Sequence, residues 1–222
     1  MKTGLFISFE GGEGAGKTTQ IKTLKGALED AGYDVLLTRE PGGTPEAEKI
    51  RNLLVQRDGG NWDGLTELLL FYAARRNHVE TLIKPALAEG KIVITDRFAD
   101  STHAYQCFGH GVSEDVFNQV NDLVLGAFKP DLTFLLDVPV DIGLKRSKSV
   151  NDKDQKGQIS AQQVEDRFER LDTAFHEKLR AGFLSIAQNE PQRFCVVNAL
   201  LDLQGIAETI KSETLKKLKE NK

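Results

Sequence analysis

Gly11-Gly12-Glu13-Gly14-Ala15-Gly16-Lys17-Thr18-Thr19 is the stretch that decides the fold. It fits the pattern G-x-x-x-x-G-K-[ST] and stands directly after the apolar run 5–9. A stretch of helical period, 17–31, follows it, and Gly32 closes that stretch. The glycines let the backbone curl around phosphate oxygens with its N–H groups pointing inward, where a Cβ would block approach or strain the turn. The following helix adds its positive N-terminal end. Lys17 then reaches the β- and γ-phosphates of a nucleoside triphosphate, and the Thr18 hydroxyl is placed to ligate Mg²⁺.

Beyond this loop, short apolar runs at 35–38, 92–95, 132–138 and 193–198 alternate with helical stretches. With 5–9 they predict a five-stranded parallel sheet flanked by helices on both faces, a three-layer α/β fold. Residues 65–89 form a long apolar-striped helical stretch in which Pro85 marks a kink or restart. Val116, Val120, Leu123 and Val124 share one helical face, as do Leu203, Ile206 and Ile210, and both faces read as core stripes. The segment 145–163 carries Ser147, Ser149, Asn151, Asp152, Asp154, Gly157 and Ser160 with almost no apolar residues, and reads as a mobile polar loop. No repeat, low-complexity tract or linker divides the chain, so residues 1–222 are expected to form one domain.

Composition narrows the function. With 40% hydrophobic and 28% charged residues, the chain is globular rather than disordered, collagen-like or membrane-embedded. The run 5–9 ends too soon for a signal-peptide core or a membrane span, so no targeting segment and no membrane are expected. The formal charge of −4 argues against a nucleic-acid partner. Cys107 and Cys195 are too far apart for a CxxC site and too few for a disulfide framework, which fits a reducing cytoplasm.

A phosphate loop alone does not name a reaction, because motor, switch and DNA-partitioning ATPases share it. Two strands end in an aspartate, Asp96 and Asp137, and either suits the orientation of a metal-bound water. Asp96 is followed at once by Arg97, a carboxylate for a metal beside a guanidinium for a phosphate, at a strand end that lines the ligand crevice of such a sheet. No credible general base stands near these motifs. An alcohol acceptor would benefit from a base, whereas a phosphate acceptor is already anionic and needs only screening and alignment. Arginine forks supply both, and Arg39 and Arg97 each sit where a strand ends. Phe71 and Arg75, four residues apart, present an aromatic plane and a planar donor on one helical face, suited to stacking a base and bonding its carbonyl. Ser101, Thr102, Tyr105 and Gln106 cluster just after Asp96-Arg97 and offer further polar groups to the same crevice.

Together these strings resemble the bacterial thymidylate kinases, a family of P-loop nucleoside monophosphate kinases. The resemblance rests on residues 9–19, on Thr38-Arg39-Glu40-Pro41-Gly42-Gly43-Thr44 and on Phe71-Tyr72-Ala73-Ala74-Arg75. Asp96-Arg97, Ala104-Tyr105-Gln106, Lys129-Pro130-Asp131-Leu132-Thr133 and Asp166-Arg167-Phe168-Glu169 extend it. The resemblance implies transfer of the γ-phosphoryl of ATP to dTMP, giving ADP and dTDP with Mg²⁺ and so supplying dTTP for DNA synthesis, by a cytoplasmic homodimer. It implies that Gly11, Gly12, Glu13, Gly14, Ala15, Gly16, Lys17, Thr18 and Thr19 hold ATP. Thr18, Glu13, Asp96 and Glu169 would serve the metal. Arg39 and Arg97 would grip the acceptor phosphate, Phe71 would stack on thymine and Arg75 would bond its carbonyl. Thr102 and Gln106 would approach the base edge, and Tyr105 would crowd the sugar's 2′ position. Lys17, Glu13 and Arg97 would act in catalysis. Family members without a basic residue at the loop's variable positions supply arginine from a lid, and here the lid, 145–163, is lysine-rich, with Arg146 or Lys148 expected as the transition-state cation. The competing expectations are another nucleoside monophosphate kinase, told apart with UMP, CMP, AMP and GMP, or a switch or partitioning ATPase, told apart by DNA-stimulated hydrolysis.

Overall fold

β1 (Leu5–Glu10) is buried along its whole length, as a strand must be when it has a neighbour on each edge and helices over each face. The computed structural model describes residues 4–56, 60–154, 168 and 171–220, the side chains of 150–154 excepted. β2 (Val35–Arg39), β3 (Ile92–Asp96), β4 (Leu132–Asp137) and β5 (Phe194–Asn198) complete a sheet of order β2-β3-β1-β4-β5, with every pairing parallel. This is the five-stranded parallel sheet expected from the apolar runs. The order places Glu10, Arg39, Asp96, Asp137 and Asn198 together along the carboxyl edge. β1 is the point where the chain switches from building one side of the sheet to building the other, so a crevice opens beside its carboxyl end.

The period of two along β1 separates two cores. Leu5, Ile7 and Phe9 meet Ile21, Leu24 and Leu28 of α1 (Lys17–Asp30), and Ile206 and Ile210 of α9 (Leu203–Glu220) join the same cluster. Phe6 points the other way, into a cluster with Leu68 and Tyr72 of α3 (Gly64–His78) and with Phe117 of α6 (Glu114–Val124). Each of these fully buried side chains contributes roughly 1.5–3 kcal/mol. The predicted long helix runs as α3 (Gly64–His78), a π-helical turn (Val79–Ile83) and α4 (Lys84–Ala88). The wide turn lies just ahead of Pro85, where a ring without an N–H cannot continue a regular α ladder. A further cluster joins Leu179, Phe183 and Ile186 of α8 (Thr173–Asn189) to Leu135 of β4 and to Tyr105.

Three expectations are corrected. Residues 145–154 are not loop: α7 (Val140–Asp154) extends through them, and the remainder, 155–163, lies outside the described residues. A segment need not be apolar to be helical when its start is anchored, and Val140 is buried while Lys145 pairs with Asp141 one turn back. Leu123 is 84% exposed and Leu203 64% exposed, so neither is core. Val116, Val120 and Val124 define the buried face of α6, and Leu123 stands about 100° away from Val124. α2 (Pro45–Val55) lies outside those expectations, although Thr44 caps it, Pro45 opens it and Glu46 and Glu48 occupy its first turn.

Behind the sheet edge, Arg193 is 7% exposed and donates to Glu190, Asp100 and Thr133. Its hydrogen bonds hold the Glu190 carboxyl at about 2, well below the ordinary 4.5. A depressed carboxylate stabilises the fold above its unfolded value, and that contribution disappears as pH falls from about 4.5 toward 2. Urea midpoints across this window should fall more steeply for the parent protein than for Glu190→Gln.

Candidate active site

The loop after β1 closes over its own lysine. Gly11 and Gly14 both have positive φ, at 133° and 65°. A Cβ on Gly14 would collide with the carbonyl of Gly143, where α7 crosses the loop. Gly14→Ala should therefore lower both the melting temperature and the affinity for ATP, measurable by thermal denaturation with and without nucleotide. Lys17 Nζ donates to the carbonyls of Gly11 and Gly12, both at 3.1 Å. Burial, then the nearby Arg97, lowers the pKa of this ammonium. The Thr18 hydroxyl donates to an oxygen of Asp96 at 3.4 Å, which joins the loop to the end of β3.

Arg97 follows Asp96 with φ of 68°, the one non-glycine residue with positive φ among those described. Its guanidinium donates to the Gly11 carbonyl at 3.1 Å, to Ser101 Oγ at 3.0 Å and to Glu13 Oε1 at 2.9 Å. Glu13 Oε1 also accepts from the Tyr105 hydroxyl at 2.7 Å. Burial opposes the charge on Glu13, but Arg97 and Lys17 outweigh it and leave the carboxyl below its usual range. Beneath this cluster, burial and then the charge of Asp100 push the carboxyl of Glu10 up to about 8.

Arg75 is 1% exposed, an unusual place for a guanidinium. Nε donates to Glu40 at 2.7 Å and Nη2 to Thr102 at 2.8 Å, while the ring of Tyr72 lies 4.6 Å from the guanidinium carbon. Nη1 is buried, and among the described residues it has no hydrogen-bond partner. Gln106 repeats the pattern: its Nε2 donates to Glu67 at 2.9 Å, and its Oε1 has no partner among the described residues. Two orphaned polar atoms in one wall are what a site shaped for a polar ligand leaves behind.

These groups border one cavity of about 1060 Å³. Its lining brings together Glu13, Gly14, Ala15, Gly16, Lys17, Thr18 and Thr19 with Arg39, Phe71, Arg75, Asp96, Arg97, Thr102, Tyr105, Gln106 and Arg146. Gly11 and Gly12 do not border it; they line a second, smaller cavity with Leu136 and Asp137. Arg39 is exposed and pairs with Glu48 at 3.2 Å. Arg146 donates to the carbonyl of Ala199 at 3.0 Å. Lys148 is exposed and does not border the cavity, and Glu169 lies outside the described residues. Asp137, the alternative to Asp96, takes a two-point ion pair from Arg180 at 2.7 and 2.9 Å away from the cavity. Cys107 packs into the core, and burial pushes its thiol up to about 12.

Sequence reasoning missed several of the walls. Phe168 lies 6.3 Å from Phe71 and 5.3 Å from Tyr105, ring to ring. Glu40 anchors Arg75 and also meets His78 Nδ1 at 2.9 Å. Arg51 reaches the cavity from α2 and donates to the Pro41 carbonyl at 2.7 Å. Reading Thr44-Pro45-Glu46 as a helix start would have placed Arg51 two turns into a helix beside the Arg39 turn. At the far end, Gln20, Leu203 and Ile206 form a wall that no motif announces.

The sequence model of the family described as thymidylate kinase matches residues 9–210. A thymidylate kinase of Caulobacter vibrioides is 46% identical over 218 residues, covering 98% of this chain and 99% of that protein. One from Syntrophotalea carbinolica is 50% identical over 87% of each chain. Among solved structures, the crystal structure of thymidylate kinase from Ehrlichia chaffeensis matches with a TM-score of 0.72 and 38% identity, covering 96% of this chain and 99% of that one.

Proposed function

Because this chain belongs to the thymidylate kinase family and catalyses ATP-dependent phosphorylation of dTMP, we propose a division of roles among the residues around its cavity. The loop residues 11–19 hold the ATP phosphates. On binding, Lys17 exchanges its two carbonyl contacts for phosphate oxygens. Arg97 and Arg39 hold the phosphate of dTMP against them. Phe71 stacks on thymine, Arg75 Nη1 donates to a ring carbonyl, and Thr102 and Gln106 meet the base edge. Tyr105, tied to Glu13, occupies the space that a 2′-hydroxyl would need. The observation that carries this reading is the buried Nη1 of Arg75, without a partner among the described residues, a charged donor whose neighbours on the same guanidinium are already bonded.

The reaction needs alignment more than bond-making help from the protein. The acceptor oxygen is anionic, so no base has to remove a proton, and cationic groups on both sides lower the repulsion between the two phosphates. Thr18 and Asp96 present adjacent hard oxygen donors, which suit Mg²⁺. They would hold that ion, which would screen the phosphate charge. Chelation by EDTA should abolish dTMP-dependent ADP formation, and added Mg²⁺ should restore it. Undiminished turnover in EDTA would remove the metal from this account.

The chain also forms a homodimer in this reading. Leu65 and Leu69, one turn apart on α3, are 47% and 52% exposed, and Leu123 on the neighbouring α6 is 84% exposed. Such a patch favours burial against a second copy. Sedimentation of the parent should give twice the chain mass, and Leu69→Glu should shift it toward the monomer. No helix among the described residues is long and apolar enough to cross a membrane. Cys107 and Cys195 are both free, which supports a reducing compartment.

A further inference from the structure

Glu10 is fully buried at the end of β1, outside the lining of the cavity. A carboxyl at such a depth is costly unless its oxygens are used, and an apolar side chain would fill the same space without that cost. Both oxygens are used. Oε1 accepts from the backbone N–H of Phe98 at 2.7 Å, and Oε2 is hydrogen-bonded to the Ser101 hydroxyl. These two partners flank Arg97 in different senses. Phe98 is the next residue along the chain, so its N–H belongs to the peptide that leaves Arg97. Ser101 Oγ is one of the three groups that receive the Arg97 guanidinium.

Arg97 needs that help. Its left-handed backbone is disfavoured for any residue with a Cβ and persists only where surrounding bonds over-determine it. Three bonds do so: Arg97 N–H to the Phe9 carbonyl at 3.0 Å, the Thr95 hydroxyl to the Arg97 carbonyl at 2.8 Å, and Phe98 N–H to Glu10. The first two come from the strand backbone and from Arg97's own strand, β3. Glu10 alone, among the described residues, bonds the peptide after Arg97 and also the hydroxyl that receives its guanidinium. We infer that Glu10 is a positioning residue for phosphoryl transfer, setting the backbone and, through Ser101, the guanidinium of Arg97 without touching either nucleotide. This rests on the reading above that Arg97 holds the acceptor phosphate.

Steady-state kinetics of Glu10→Ala, Glu10→Gln, Ser101→Ala, Arg97→Ala and the double variants with Arg97→Ala test it. Losing a hydrogen bond to a buried charged network is worth a factor of roughly 10 to 100. Glu10→Ala should therefore lower kcat/KM for dTMP by about that factor, while KM for ATP changes by less than about threefold. Glu10→Gln should recover most of the loss, because its amide accepts from Phe98 N–H and donates to Ser101 Oγ. In an Arg97→Ala background, Glu10→Ala and Ser101→Ala should each have little further effect. Ser101→Ala removes a single oxygen, so it keeps the test open if Glu10→Ala fails to fold. Additive losses in the double variants, or equal losses toward ATP and dTMP, would overturn the inference alone. Unchanged dTMP kinetics in Arg97→Ala would overturn the reading of Arg97 and this inference with it.

Discussion

dCMP is expected to be phosphorylated with a kcat/KM at least on the order of 10⁴ below that for dTMP. The physical reason lies in Arg75. Its Nε and Nη2 are committed to Glu40 and Thr102, its ring neighbours Tyr72 and Phe98 hem it in, and its buried Nη1 awaits an acceptor. Thymine offers a carbonyl there. Cytosine offers an amino group, so two donors would face each other and a buried cation would stay unpaired. Arg75 has no room to retreat, since moving would also strip Glu40 of a partner. dUMP keeps the carbonyl and lacks only a methyl, so its penalty should be about 10- to 200-fold. Arg75→Ala should raise KM for dTMP sharply and leave ATP binding intact. A dCMP rate within tenfold of the dTMP rate would remove Arg75 from the base pocket.

Arg146→Ala should lower kcat by a factor on the order of 10³ to 10⁵, the usual worth of a cation placed on a transferring phosphoryl group. Lys148→Ala should change it little. From the sequence the two residues are alternatives, and their places on α7 favour Arg146. Gly143 touches the phosphate loop, and Arg146 follows three residues later on the same face of α7, so it reaches the cavity beside Gly14. Lys148 is rotated away and exposed. An exposed arginine whose side chain, among the described residues, bonds the Ala199 carbonyl alone can exchange that bond for a phosphate oxygen. Equal kcat in parent and Arg146→Ala would place the cation elsewhere.

The parts of this molecule that sequence reveals are those where one residue type answers one physical demand. β1, β3 and β4 are buried almost throughout and so read as apolar runs, the edge strands β2 and β5 keep enough apolar residues to follow suit, and all five were legible to within about a residue at each end. A loop that wraps phosphate must be glycine-rich and end in lysine and a hydroxyl, so residues 11–19 announced themselves. Residues that answer to packing partners stay hidden. The polarity of 145–154 reads as loop, yet the helix they continue starts from buried Val140 and core-packed Ile142 and lays Gly143 against the phosphate loop. Glu10 and Glu40 look like ordinary acidic residues after a strand, and only the fold shows that Glu40 pairs with Arg75 and that Glu10 bonds Phe98 N–H and the Ser101 hydroxyl. Phe168 joins Phe71 and Tyr105 from 97 and 63 residues further along the chain, separations that no local pattern bridges.

Phosphorus NMR of the purified protein mixed with ATP, Mg²⁺ and dTMP tests the central claim most directly. The ATP γ-resonance should decay as thymidine diphosphate and ADP grow in equal amounts, and omitting dTMP should leave ATP almost intact. Consumption of ATP at the same rate with and without dTMP, or release of inorganic phosphate in place of the diphosphate, would contradict it.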